Sequence, residues 1–268
     1  MLTLLKLGGE LLEDASAIAV AADGIRSLVA AGPVVVVHGG GRAIDADLRA
    51  RGAAPRFVDG VRITDAAALD SVVSVLAGRI NTALVAALGA AGVEAVGLTG
   101  ADARLAVCRI ADPIRTAAGE DVAPGLVGIP CNDNAPRLLR DLLEIGYVPV
   151  IATLGTSPDG TLLNVNADVL AAHLARAIGA ERLIIAGSTP GVYDATGSTC
   201  AWLHARAVRD MVAGGAARDG MVVKLNAALA AVDGGVRLVR IVDGRDAKYA
   251  DGRGTTIVAA QEAATIRC

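Results

Sequence analysis

A three-layer αβα sandwich around a mainly parallel sheet is the fold that this chain of 268 residues predicts. Three observations carry that reading. Short apolar runs rich in β-branched residues alternate with helix-length segments, the order that parallel β-α-β units require. The first two runs end in glycine turns that lead into helical patterns. Hydrophobic residues make up 53% of the chain and aromatics only 2%, so the interior must be aliphatic, as it is in sheets covered by helices on both faces.

The elements follow in order. Residues 2–7 form an apolar run closed by Gly8-Gly9, and 15–31 reads as a helix with Gly32-Pro33 beyond it. The valine run 34–37 is a strand closed by His38-Gly39-Gly40-Gly41, after which 42–51 is helical. Residues 65–91 are helical, 95–98 a strand, 135–145 a helix and 148–152 a strand. Ser157-Pro158-Asp159-Gly160 then signals a hairpin, because proline presets one turn dihedral and glycine accepts the left-handed one. A helix at 168–178 leads into a strand at 183–186, and the last third holds helices at 204–213 and 222–231 around a glycine-rich break, then a strand at 238–242. No repeat or low-complexity linker interrupts the chain. It reads as one body with a hinge-like division near residue 175, an N-terminal lobe 1–174 and a C-terminal lobe 175–268.

Composition excludes several functions. A formal net charge of -3 supplies no general attraction for nucleic acid or an anionic membrane, so any anionic ligand must be held by local groups. Cys108, Cys131, Cys200 and Cys268 are widely spaced without a C-x-x-C pair, which argues against a zinc site or disulfide framework and fits a reducing cytoplasm. The apolar start has no basic residue before it, and Lys6, Glu10, Glu13 and Asp14 interrupt it early, unlike a signal peptide. No apolar stretch reaches membrane-spanning length without charges or glycine breaks.

Lysine usage is the most informative count. Of 25 basic residues only Lys6, Lys224 and Lys248 are lysines, so arginine serves almost wherever a positive charge suffices. An ammonium is a compact point charge that approaches a single phosphate oxygen, whereas guanidinium is a broad planar fork. Positions that keep lysine are therefore candidates for a task arginine cannot perform. Lys248, in a polar stretch, reads as ordinary surface.

Five constellations bear on chemistry. Lys6-Leu7-Gly8-Gly9 puts an ammonium at a strand end beside backbone N–H groups that can closely approach an anion. His38-Gly39-Gly40-Gly41 follows a buried strand and opens a helix, where N–H groups and the helix dipole favour negative charge, with His38 itself read as structural. Gly60-Val61-Arg62-Ile63-Thr64-Asp65 sets an arginine, suited to bidentate carboxylate binding, before a helix that Thr64 or Asp65 caps. Asn164-Val165-Asn166-Ala167-Asp168 clusters more polar residues at a helix start than capping needs. Asp219-Gly220-Met221-Val222-Val223-Lys224 places a lysine inside an apolar helical turn, which demands a partner such as Asp168. Neither a P-loop nor a strand-borne G-x-G-x-x-G is present.

In this order, and with Gly97-Leu98-Thr99-Gly100 between them, the motifs resemble the amino-acid kinase family across nearly the whole chain, and within it the branch that phosphorylates N-acetyl-L-glutamate. The resemblance implies an amino-acid kinase-like αβα fold and transfer of the γ-phosphoryl of ATP, carried with Mg2+, to the acceptor's side-chain carboxylate in arginine biosynthesis. Lys6 and Lys224 would flank the phosphoryl group in transit, and Asp168 would hold both lysines. Gly40, Gly41, Arg62 and Asn164 would bind the acceptor. Gly8, Gly9, Ser188, Gly191, Tyr193, Asp219, Gly220 and Met221 would serve the nucleotide, with no metal ligands from the protein. An ionised carboxylate acceptor is already a nucleophile, consistent with the lack of an evident general base. The chain departs from the pattern at Ser188, where relatives commonly place an aspartate, and after Asp243-Gly244-Arg245, where a helix is shortened. No extension precedes the first strand, so an arginine-insensitive, cytoplasmic homodimer is expected. The alternatives are a kinase for acetylated or carrier-bound aminoadipate in lysine biosynthesis, and a non-catalytic amino-acid sensor on the same fold. The sensor would be expected to lack one of Lys6, Lys224 or Asp168.

Overall fold

The computed structural model describes residues 1–116, 119–131, 136–215, 217 and 220–259. In chain order the strands are β1 Thr3–Leu7, β2 Val34–His38, β3 Phe57–Val58, β4 Val61–Arg62, β5 Ala95–Thr99, β6 Cys108–Ile110, β7 Ile114–Arg115, β8 Asp121–Val122, β9 Val127–Pro130, β10 Val148–Ala152, β11 Leu154–Thr156, β12 Leu162–Val165, β13 Arg182–Gly187, β14 Trp202–His204, β15 Leu238–Asp243 and β16 Gly254–Val258. The helices are α1 Ala15–Val29, α2 Gly41–Ala50, α3 Ala66–Val73, α4 Asn81–Ala90, α5 Arg137–Glu144, α6 Ala167–Ala177, α7 Ala205–Ala213 and α8 Gly220–Asp233.

An eight-stranded sheet in the order β14-β16-β15-β13-β1-β2-β10-β5 forms the middle layer. Its neighbours run parallel except β15 and β16, so the expected mainly parallel αβα sandwich is what the chain forms. A smaller sheet, β11-β12-β9-β6, includes the hairpin expected at the Pro-Asp-Gly turn.

Alternation along β1 explains the two cores. Leu5 and Leu7 join the cluster on the side of α1 to α4, while Leu4 joins the cluster built with α6 and α8. Lys6 shares the parity of Leu4, which carries its side chain toward α6 and α8. Sheet polarity brings the C-terminal ends of β1, β2 and β13 to one edge, the place where open α/β sheets bind ligands.

The division expected near residue 175 falls inside α6, where Leu174 and Ala175 are buried. The sheet nevertheless splits by sequence, with β5, β10, β2 and β1 from before that point and β13, β15, β16 and β14 from after it. α3, a π-helical segment Ser74–Ile80 and α4 run on as one helix of 25 residues, long and apolar enough by composition to cross a membrane. It carries Asp70, Gly78, Arg79 and Gly89, and Val72, Val75, Leu76, Leu84 and Leu88 along it belong to the core.

Candidate functional site

Two glycine turns meet at the sheet edge. A side-chain carbon on Gly9 would lie 2.5 Å from the Gly40 Cα, so the turns after β1 and β2 pack backbone to backbone, an approach only glycine permits. Behind them His38 is fully buried. Its Nδ1 lies 3.2 Å from the Gly39 carbonyl and its Nε2 3.0 Å from Asn81 Nδ2, which also donates to the Val150 carbonyl. Burial lowers the His38 pKa to about 4, against the smaller opposing effect of its Gly39 hydrogen bond, so the ring is neutral at physiological pH. Its place is structural, as expected, and it anchors the glycine turn.

Asp168, in the first turn of α6, joins the two lysines that sequence analysis singled out. Its Oδ1 is 3.0 Å from Lys6 Nζ and its Oδ2 3.5 Å from Lys224 Nζ. Lys6 is 4% and Asp168 5% exposed, so this is a desolvated centre. Burial alone would raise the Asp168 pKa, but the charges of Lys6 and then Lys224, with their hydrogen bonds, outweigh it and hold the carboxyl below its ordinary range. Three polar residues of one short segment thus divide the work. Asn166 caps α6 by accepting from the N–H groups of Asp168 and Val169, Asp168 fixes the lysines, and Asn164 turns the other way to donate to Thr64 Oγ1.

On one side of this centre lies a cavity of about 220 Å³ lined by Gly40, Gly41, Arg62, Asn164, Asn166 and Ala167 among others, so all four predicted acceptor residues share it. Arg62 is 8% exposed and stacks 4.6 Å over the Phe57 ring. One Nη2 hydrogen goes to the Gly41 carbonyl at 3.1 Å, and Nη2 is also 2.6 Å from Asp45 Oδ1, whereas Nη1 is buried with no hydrogen-bond partner among the described residues. Asp65 is the residue that caps α3, accepting from the Ala68 N–H at 2.9 Å.

On the other side a cavity of about 520 Å³ is lined by Ser188, Tyr193, Gly220, Met221 and Lys224, with Val192 and Met211 as apolar wall. Gly191 does not line it; held at φ +126°, it packs against Thr255 and shapes the loop. Gly8 and Gly9, which follow β1, are not among the cavity's lining residues either, and Asp219 lies outside the described residues. Glu10, which sequence analysis missed, also lines this cavity. Its Oε1 accepts the Ser188 N–H at 3.1 Å, and the carboxylate covers the positions where side-chain carbons on Gly8 and Gly187 would stand. A carboxylate already sits on a backbone donor there. Asp45 was the other omission: acidic residues on a helix or just after a glycine pair carry no signal apart from the partner they meet in space.

Among the described residues no group of three or more His, Cys, Asp or Glu side chains is arranged to hold a metal ion. The centre is instead cationic at the junction of two cavities, an arrangement that can stabilise a phosphoryl group passing between them.

The chain is 43% identical over 211 residues to the acetylglutamate kinase of Roseobacter denitrificans, covering 79% of this chain and 70% of that one. It is 38% identical over 246 residues to that of Dinoroseobacter shibae, covering 91% and 82%. Among solved structures, N-acetylglutamate synthase from Neisseria gonorrhoeae superposes with a TM-score of 0.80 at 26% identity; the match takes in 96% of this chain but only 59% of that longer one. The sequence pattern of the amino acid kinase family matches residues 1–243, both lysines and Asp168 included, and the chain belongs to that family.

Proposed function

We propose that this protein transfers the γ-phosphoryl group of ATP to the side-chain carboxylate of N-acetyl-L-glutamate, giving N-acetylglutamyl 5-phosphate for arginine biosynthesis. The observation that carries the reading is the buried Lys6–Asp168–Lys224 cluster, which joins a small cavity holding an unsatisfied arginine nitrogen to a larger one with an apolar wall. The kinase relatives at about 40% identity support the same acceptor.

A carboxylate oxygen of the acceptor attacks the γ-phosphorus, an acyl P–O bond forms, the bond to the bridging β-γ oxygen breaks, and ADP leaves with that electron pair. No proton need move, because the nucleophile is already ionised. Lys6 and Lys224 neutralise charge on the phosphoryl oxygens, and Asp168 prevents the two ammonium groups from repelling each other out of position. Arg62 receives the acceptor's α-carboxylate on Nη1, while Asn164 and the N–H groups of Gly40 and Gly41 hold its remaining polar groups. Ser188, Tyr193, Gly220 and Met221 contact the nucleotide, with Gly8 and Gly9 along the phosphate path, Gly191 shaping the loop beside it, and Asp219 assigned to the nucleotide by the family resemblance alone. Magnesium carried on the triphosphate would supply charge to offset the phosphates, and Glu10, which lines the larger cavity, is a carboxylate that would face it. The N-terminal lobe binds the acceptor and carries the dimer contact, the C-terminal lobe binds ATP, and the enzyme works as a cytoplasmic homodimer.

The test is ATP consumption with N-acetylglutamate, glutamate, N-acetylaminoadipate and aspartate in parallel. N-acetylglutamate should be turned over with the highest kcat/KM. Free glutamate should be poor because its α-ammonium would be desolvated without a partner. Equal or better turnover of any other acceptor overturns the assignment.

A further inference from the structure

A third cavity, of about 510 Å³, opens at the far edge of the sheet and is lined by Arg182, Arg240, Arg253, Asp251, Trp202 and Thr256. Nothing in the phosphoryl-transfer site uses these residues. The pairing of β14 with β16 and of β16 with β15 sets Trp202 opposite Thr256 and Thr256 opposite Arg240, so the three stand in one row on one face. Arg182 begins β13, which pairs with β15 beside this row. The segment between β15 and β16 is too short to cover that face with a helix, and it contributes Asp251 and Arg253 to the rim instead.

The electrostatics of the cavity are unsatisfied. Arg182 spends Nε and Nη2 on the hydroxyl of Thr3, at 3.2 and 3.1 Å. Arg240 donates Nη2 to the Gly252 carbonyl at 2.7 Å, while its Nε is buried with no hydrogen-bond partner among the described residues. No carboxylate of the described residues forms an ion pair with Arg182, Arg240 or Arg253, although elsewhere arginines end on carboxylates, as Arg209 does on Asp233 and Arg115 on Asp121. Burial lowers the pKa of both Arg182 and Arg240, and the charge of Arg240 adds to the effect at Arg182; Asp251 acts in the opposite direction on both. Guanidinium does not deprotonate in proteins, so the half-buried charge calls for an anion rather than a proton shift. Against a net charge of -3 for the whole chain, three guanidinium groups facing one carboxylate make a local field of opposite sign.

We propose that this cavity is a second ligand site that binds a compact dianion, a phosphate or a dicarboxylate, between Arg240, Arg182 and Arg253, with Trp202 covering its apolar side. Planar forks suit both oxyanions, and the free Nε of Arg240 points to at least one bond a bound oxygen would complete. A cationic ligand is rejected by the same three arginines. Thr255, next to Thr256 on β16, accepts the Val192 N–H at 2.8 Å and donates to the Cys200 carbonyl at 2.6 Å, so the floor of this cavity is tied to the loop that walls the nucleotide cavity.

Trp202 is the single tryptophan of the chain, so intrinsic fluorescence reports on this cavity directly. The full chain is titrated with inorganic phosphate and with succinate at constant ionic strength, with chloride as the control anion, and heats are recorded in parallel by calorimetry. The expected result is a saturable Trp202 response to phosphate or succinate that chloride does not give, the tighter of the two identifying the preferred oxyanion. Arg240→Gln should weaken that binding by about tenfold or more, as loss of a charged hydrogen-bond donor does. Arg253→Gln, on an exposed segment where folding is not at stake, should weaken it severalfold. A response that chloride matches, one that both variants retain in full, or none with either oxyanion overturns the proposal. The readout requires no catalytic turnover, so its failure and failure of the kinase assignment are told apart.

Discussion

Replacing Lys224 by arginine separates charge from shape at the centre of the site. Lys224 Nζ stands 3.5 Å from Asp168 Oδ2, and its side chain is 17% exposed toward the nucleotide cavity, whereas that of Lys6 is 5% exposed. A guanidinium at 224 therefore has room to turn outward, and the fold should survive. At Lys6 the larger head would overpack a buried strand and cost about 1–3 kcal/mol of stability as well. Turning outward moves the positive charge from about 4 Å to about 6 Å from a phosphoryl group in transit. At an effective dielectric of about 20 this weakens the attraction from about 4 to about 3 kcal/mol for each unit of negative charge. For a group carrying about two such charges the barrier rises by about 2–3 kcal/mol, a fall in kcat of about a hundredfold. The assay is steady-state kcat with saturating ATP and acceptor, alongside thermal unfolding to confirm the fold. Lys248→Arg, at an exposed position, is the control and should leave kcat unchanged. A kcat within about threefold of the parent in folded Lys224→Arg would refute the argument that arginine cannot replace these lysines.

Three further outcomes follow from the geometry. Arg62→Lys keeps the charge beside Asp45 but removes the buried Nη1, so the acceptor KM should rise by about tenfold or more while the KM for ATP stays within about threefold; an unchanged acceptor KM would return Arg62 to a structural role. Glu10→Gln removes an anion from the Ser188 N–H, so affinity for magnesium-free ADP, measured by calorimetry, should increase by about tenfold, and a loss of affinity would contradict the placement of Glu10 against the phosphates. His38 is neutral in the folded state with a pKa of about 4 against an ordinary 6.5, so between those values the unfolded chain binds the extra proton and stability falls as pH drops. That window should cost about 3 kcal/mol in denaturant unfolding, fully recovered above pH about 6.5, and His38→Gln should flatten the slope, whereas an equal slope in the variant would assign the loss to other groups.

Much of the layer structure was legible because it rests on runs long enough to show a period. The valine strand β2, the helix beginning at Ala15 and the Pro-Asp-Gly hairpin each declare themselves locally. The strands that went unread, such as Phe57–Val58, Ile114–Arg115 and Trp202–His204, are two or three residues long and exist only through their pairing partners. β16 was hidden for another reason: it starts at a glycine and draws its strand character from lying between β14 and β15. In the site, Lys6, Asp168 and Lys224 were legible because a buried lysine needs a counter-charge and the chain uses lysine so sparingly. Asp45 and Glu10 were not, since an acidic residue on a helix surface and one that meets Arg62 or the Ser188 N–H look alike until the chain is folded.

The most direct measurement is trapping of the product with hydroxylamine. An acyl phosphate reacts with hydroxylamine to give a hydroxamate, so the account predicts hydroxamate in proportion to ADP when ATP, magnesium and N-acetylglutamate are all present, and none when any one is left out. ADP released without hydroxamate, or hydroxamate formed as readily from free glutamate, would contradict phosphoryl transfer to the side-chain carboxylate of N-acetylglutamate.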